Sequence, residues 1–250
     1  MKRLAIVAAM AVLMSPGAFA QGPAESGWLA IEGRSEADIR LDEGRKPVET
    51  LSFLGIRKGD VALDYMAGGG YYAEIIARAV GPKGRVVAWN PKAFVASDRA
   101  KAKWADLMAR FPTIEHRIAA FDGFTAEAGR FDFALFHLVY HDLYWESAQY
   151  EVPRTDPDAV LKRLFAAMKP GGIVGVIDHR GAAGDTRAIV ESTHRIDPAV
   201  VKADFERAGF RLAGESAHLR IAGDDPAKNV FDPALRGKTA RFVLKFVKPE

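Results

Sequence analysis

Short apolar runs alternate with longer amphipathic stretches along most of this chain. Residues 61–64, 85–89, 114–119, 131–137 and 173–177 read as strands. Apart from 114–119, which carries Glu115, His116 and Arg117, they are close to continuously apolar, as strands buried on both faces are. Helical spacing covers residues 72–80, 97–110 and 156–168, with Asp156 placed as an N-cap and Pro157 at the first helical position. Ahead of the first strand, residues 37–54 carry Ile39, Leu41, Val48, Leu51 and Leu54 on one side, with Pro47 as a break or restart. The pairs Gly81-Pro82, Asn90-Pro91 and Asp122-Gly123, and the turn Lys169-Pro170-Gly171-Gly172, punctuate the alternation. Past a helix at residues 198–208, two β-rich runs follow at 210–219 and 239–247, joined by a Gly/Asp/Pro-rich loop. The pattern predicts an α/β fold: a doubly wound, Rossmann-like, mostly parallel sheet with an antiparallel C-terminal strand pair. Asp64, Asn90, Asp122, His137 and Asp178 would then end strands at the carboxyl edge, where ligands bind in such sheets.

The most telling stretch is Gly59-Asp60-Val61-Ala62-Leu63-Asp64-Tyr65-Met66-Ala67-Gly68-Gly69-Gly70-Tyr71-Tyr72-Ala73-Glu74. A strand ending in Asp64 runs through a glycine triplet into a helix. The unpaired amides of the first helical turn and the helix dipole make such a turn a place to hold a polar or anionic ligand.

The N-terminus stands apart. Lys2-Arg3, an apolar run from Leu4 to Met14, a break at Ser15-Pro16-Gly17 and the small-x-small triplet Ala18-Phe19-Ala20 predict a signal peptide over residues 1–20, cleaved after Ala20. The run is short for a membrane span, so no stable membrane insertion is expected after cleavage, and the protein is expected to be periplasmic or secreted. Residues 21–36 are polar and Gly-rich and read as a flexible segment, leaving one domain over 37–250. With 250 residues, 49% hydrophobic and 27% charged, the chain can bury a sizeable core. Its formal charge of +3 falls by two with the leader, and no basic run suggests a nucleic-acid groove. The absence of cysteine suits an oxidising compartment.

Asp64 with Gly68 and Gly70, the strand Gly84-Arg85-Val86-Val87, Phe131-Asp132-Phe133, and Leu164 leading into Lys169-Pro170-Gly171-Gly172 together resemble the class I S-adenosylmethionine-dependent methyltransferases. The likeness runs from about Asp42 to the C-terminus. It is closer still to a group of exported bacterial predicted methyltransferases with a Gly-Gly-Gly-aromatic turn. The resemblance implies a seven-stranded methyltransferase-type sheet and S-adenosylmethionine as cofactor. It implies cofactor contacts from Asp64, Ala67, Gly68, Gly69, Gly70, Asn90, Asp122 and His137, with Asp122 at the position that meets the adenine amino group. Two departures stand out. Met66 occupies the place of the first glycine of the usual turn and cannot take positive φ cheaply, so a reshaped or shifted turn is expected. Asn90 stands where strand two usually ends in a carboxylate that holds the ribose hydroxyls.

Methyl transfer needs the acceptor in line with the methyl-bearing sulfur, often with a base. The segment after strand four supplies His137, Tyr140, His141, Asp142, Tyr144 and Trp145. His141 is the first choice as base, with Asp142 orienting it or acting directly, and His179 closes strand five as a third catalytic candidate. Arg180 and Arg195 are candidate anion contacts or ordinary salt-bridge partners. No Cys and no His-Glu-x-x-His pattern marks a metal site. The expected function is methyl transfer to a small molecule. A non-catalytic periplasmic binding protein on the same fold remains open, as does a hydrolase or lyase using His141, Asp142 and His179. No Gly-x-Ser-x-Gly elbow supports a serine nucleophile.

Overall fold

Alternation along β1 (Val61–Tyr65) splits its side chains between two apolar layers, Ala62 joining one and Leu63 and Tyr65 the other. The same division runs through β2 (Arg85–Pro91), β4 (Phe131–His137) and β5 (Met168–His179). A computed structural model describes residues 27–250; the signal peptide expected over 1–20 lies outside the described residues. With β3 (Ile114–Ala119), β6 (Arg211–Ser216) and β7 (Arg241–Val247), the strands form one sheet in the order β3-β2-β1-β4-β5-β7-β6. All pairings are parallel except those of β7, which runs antiparallel to β5 and β6. This is the predicted doubly wound sheet with an antiparallel end.

Two short helices, α1 (Glu36–Arg45) and α2 (Pro47–Leu54), precede β1. With α3 (Tyr71–Val80) and α4 (Asp98–Arg110), α2 builds one core from Leu51, Ile75, Ile76 and Trp104. The other core takes Leu161, Val190 and Phe205 from α5 (Pro157–Ala167), α6 (Thr186–Thr193) and α7 (Pro198–Arg207). The ordered sheet thus brings five strand ends to one edge.

Some expectations change. Residues 37–54 form two helices, because Lys46 turns to the left-handed region at φ 43° and Pro47 starts a new one. The turn expected at Lys169–Gly172 is instead the irregular start of β5, with Gly171 at φ 72° and a register shift against β4. Lys169 there bonds both oxygens of Asp132 at 2.7 and 2.8 Å, and Asp132 also accepts the Val61 amide at 2.9 Å. The motif residues Asp132 and Lys169 therefore tie three strands together. Helix α6 was not foreseen. Part of the segment expected to be flexible is packed: Trp28 is 9% exposed in a short 3-10 turn, and Arg34 grips Asp42 through two bonds of 2.6 and 2.7 Å. Among the described residues, no helix is long and apolar enough to cross a membrane.

Candidate functional site

The glycine turn is built around two residues the resemblance marked as unusual. Met66 does adopt positive φ, 53°, so the expectation of a shifted turn is corrected. Its side chain is buried among Leu63, Trp89 and Phe136 in the core, and that apolar burial offsets about 1 kcal/mol or more of left-handed strain. Asn90, fully buried, accepts the Gly68 amide at 2.7 Å and donates to the Gly68 carbonyl at 3.3 Å and to His116 Nε2 at 3.0 Å. Trp104 stacks on His116 at 3.7 Å between centroids and donates its indole N–H to the same Gly68 carbonyl. Asn90 is thus committed to the turn, and both its donor hydrogens are spent. The outer face stays bare: a Cβ on Gly68 would meet nothing within 4 Å, and one on Gly69 only Lys103.

Behind the turn, Asp64 ends buried with Oδ2 lacking any hydrogen-bond partner. Burial raises its carboxyl to about 7, held back by the Ala73 amide and the Arg45 charge. His137 packs on Tyr72 at 4.6 Å with an unpartnered Nε2, and burial holds its proton affinity well below the usual histidine range.

At the β4 and β5 ends, a short 3-10 turn (His141–Tyr144) folds over Asp178. His141 donates its backbone N–H to Asp178 at 2.9 Å, and its Nδ1 lies 2.8 Å from the other Asp178 oxygen. Nε2 lies 3.4 Å from Asp142. Burial alone would lower the imidazole, but Asp178 and Asp142 outweigh it and raise His141 to about 9. Asp142 is raised to about 6 by burial, against the attraction of His141. Asp178, also bonded by the His179 amide at 2.7 Å, falls below the carboxylate range despite its burial, because His141 sits against it. The partner that orients His141 is therefore Asp178 rather than Asp142. Asp178 had been legible only as a strand end.

A cleft of about 1400 Å³ is lined both by Gly68 and Gly69 and by His141, Asp142, His179 and His194. His179 bonds Thr239 Oγ1 at 2.7 Å, and burial lowers it to about 3. His194, left-handed at the C-cap of α6, is lowered to about 4 by burial and lies 5.7 Å from His141. Among the described residues, no group of three or more His, Asp or Glu side chains has a metal-holding arrangement. Asp122 lines an adjoining pocket of about 390 Å³ with Pro91, Ala93 and Phe121, and Ala93 also lines the cleft. Tyr140 and Tyr144 both donate to Asp204, at 2.8 and 2.6 Å, and serve packing; Trp145 lines the cleft. Arg195 is buried and locked to Asp224, so it is no anion contact. The long loop before β7 roofs the cleft with Val230, Phe231 and the 236–239 stretch.

The residues present fit S-adenosylmethionine at the turn. Bare backbone at Gly68 and Gly69 leaves room, the orphaned Asp64 oxygen is a buried acceptor, and the Asp122 pocket adjoins. The expected Asn90–ribose contact is not supported by this arrangement, because Asn90 is fully buried with its Oδ1 already accepting the Gly68 amide and lines neither pocket.

No known family's sequence profile and no curated protein matches this chain. Solved structures do. An S-adenosylmethionine-dependent methyltransferase from Aquifex aeolicus is 18% identical, with TM-score 0.59 over 83% of this chain and 92% of that one. A Burkholderia thailandensis 1,6-didemethyltoxoflavin-N1-methyltransferase, solved with 1,6-didemethyltoxoflavin and S-adenosylhomocysteine, is 17% identical, with TM-score 0.53 over 86% and 82%. SpnF, described as a 4+2 cyclase, is 18% identical, with TM-score 0.56 over 87% and 85%. The fold is that of the S-adenosylmethionine-dependent methyltransferases, a frame that carries more than one reaction.

Proposed function

We propose that this protein transfers a methyl group from S-adenosylmethionine to a small-molecule acceptor. The observation that carries the reading is the cleft whose lining holds both the bare glycine turn and the His141–Asp142 pair that Asp178 backs. Gly68, Gly69 and Asp64 would hold the amino-acid end of the cofactor, and Asp122 with Phe121 its base. The cofactor supplies an electrophilic methyl; the acceptor lone pair forms the new bond while the methyl–sulfur electron pair returns to sulfur. At neutral pH His141 carries its proton between two carboxylates and has no lone pair to offer. Asp142, ionised above about 6 and lining the cleft, accepts the acceptor's proton. Asp178 fixes the imidazolium that steadies Asp142.

Calorimetry with S-adenosylmethionine and S-adenosylhomocysteine tests the reading. Micromolar binding of both is expected, lost in Gly69→Trp, whose side chain would fill the cleft end, and weakened in Asp64→Ala. A folded protein that binds neither would overturn it. We further read residues 1–20 as an export signal, which would send the mature protein to the periplasm or outside the cell. N-terminal sequencing of the exported protein should begin at Gln21.

A further inference from the structure

Among the described residues three arginines are buried: Arg34, Arg195 and Arg241. Arg34 holds Asp42 through two bonds, and Arg195 holds Asp224 through two bonds of 2.7 and 2.9 Å. That is how a buried guanidinium is normally compensated. Arg241, 5% exposed, is the exception. Its Nη2 donates to the Gly44 carbonyl, and among the described residues its Nε–H has no partner and no carboxylate lies within ion-pair distance. Arg45, next to Gly44, is a second half-buried cation without an ion pair among the described residues; it lies over the Tyr71 ring at 4.4 Å. Burial lowers the proton affinity of both, and the charge of Arg45 lowers Arg241 further.

Both arginines line the large cleft. Register fixes where Arg241 stands relative to the proton-accepting cluster: it is the direct antiparallel partner of His179, whose ring lies 6.1 Å from that of His141. Arg236 and Lys238 add positive charge at the exposed part of the same wall. The same lining carries an aromatic group: Trp145 and Phe231 flank His194 at 5.0 and 4.9 Å, and Tyr150 stands 5.7 Å from Trp145. A partly buried cation pair without an ion pair among the described residues, sharing a cleft with an aromatic cluster, is complementary to an aromatic body carrying an oxyanion.

We propose that Arg241 and Arg45 form a carboxylate site for the acceptor, and that the acceptor is a small aromatic acid whose nucleophilic group lies toward Asp142. The assignment of the acceptor rests on the methyl-transfer reading; the anion site itself does not. A carboxylate could also come from the amino-acid end of the cofactor, and the experiment separates the two sources.

Benzoate is titrated into the chain and followed by calorimetry and by the arginine Nε–H resonances in nitrogen-edited NMR. Binding is expected in the millimolar range or tighter, with one buried arginine Nε–H shifting and that signal missing in Arg241→Met. The dissociation constant should rise at least tenfold in Arg241→Met and in Arg45→Gln. Among the described residues the Arg45 side chain makes no ion pair and rests only on the Tyr71 ring, so Arg45→Gln keeps the test open if the buried replacement unfolds. In parallel, S-adenosylmethionine and its decarboxylated form should bind equally well to the wild type and to each variant. Benzoate that fails to bind, or binds unchanged to both variants, would overturn the site. A preference for S-adenosylmethionine over its decarboxylated form that disappears in the variants would overturn the acceptor assignment, because the pair would then hold the cofactor's carboxylate. Benzoate binding without any binding of S-adenosylmethionine or S-adenosylhomocysteine would leave the anion site standing and remove the methyl-transfer reading.

Discussion

Replacing Asp178 by Asn keeps the shape at the end of β5 and removes the charge that holds His141. The wild-type imidazole stands at about 9 against an ordinary 6.5, a gap worth about 3 kcal/mol of folded-state preference for the protonated form. Proton affinity is gained on folding, so this contribution is whole below about 6.5 and fades as pH rises through about 9. Asp178 moves the opposite way: its depressed carboxyl stabilises above the ordinary carboxylate range and loses that contribution in acid. The Asp178–His141 pair therefore supports the fold from mildly acidic to mildly alkaline pH. In Asp178→Asn, burial acts on His141 against Asp142 alone, and the neighbouring rings show its direction, since His179 and His194 fall to about 3 and about 4. Urea unfolding of both proteins between pH 5 and 10 measures the effect. The variant should lose about 3 kcal/mol at pH 6 and progressively less above pH 9, where the wild-type imidazole is neutral. NMR titration of His141 should show its midpoint falling by at least two pH units, on the order of the same energy. A stability loss that does not change with pH, or an imidazole still titrating near 9 in the variant, would refute the assignment of Asp178 as its partner.

With a methyl acceptor in hand, kcat/KM should rise through about pH 6 as Asp142 ionises, hold a plateau, and fall near 9 as His141 loses its proton. A rate that instead climbs steadily to pH 9 would make neutral His141 the base. Asp224→Ala strands the buried Arg195 guanidinium and should cost about 3–5 kcal/mol in urea unfolding, while the double change Arg195→Met with Asp224→Leu should recover most of it.

The centre of the sheet was legible because β1, β2 and β4 are buried on both faces and so read as apolar runs with turn pairs between them. Residues 131–137 carry that signal at their observed bounds, whereas 114–119, an edge strand with Glu115, His116 and Arg117, matches its observed bounds without it. Less legible was anything set by long-range pairing. The Lys169–Gly172 stretch carries turn residues, yet β7 beside it and the Asp132–Lys169 contact draw it into the sheet edge. Helix α6 is held by its Asp185 cap and by Val190 in the core, both weak signals in one short segment. At the site, His141, Asp142 and His179 share one cleft as their positions after β4 and β5 suggested. Arg45 and Arg241 escaped notice because an arginine's lack of a partner is invisible until every neighbour is placed. Asp178 was visible as a strand end, but that its carboxylate turns to meet His141 depends on the 3-10 turn that follows β4.

Asn90 shows how a departure from a pattern can be required by its surroundings. A carboxylate at this position could accept the Gly68 amide, but it has no hydrogen to give the Gly68 carbonyl at 3.3 Å or His116 at 3.0 Å. Burial holds His116 near 4, so that ring is neutral at physiological pH, and its Nε2 could at best switch tautomer to become a donor. Asn90→Asp would then keep one bond, regain a second through His116, and set a buried charge against the Gly68 carbonyl. The expected cost is about 2–4 kcal/mol at pH 8 in urea unfolding. The new carboxyl would bind its proton more tightly folded than unfolded, so the penalty should shrink as pH falls from 8 to 5. Because the same change alters the peptide on which Trp104 also rests, the bare face of Gly68 and Gly69 should lose its shape, and S-adenosylmethionine binding should weaken rather than improve. A variant as stable as the wild type at pH 8, with tighter cofactor binding, would mean that Asn90 leaves the turn and serves the ligand directly.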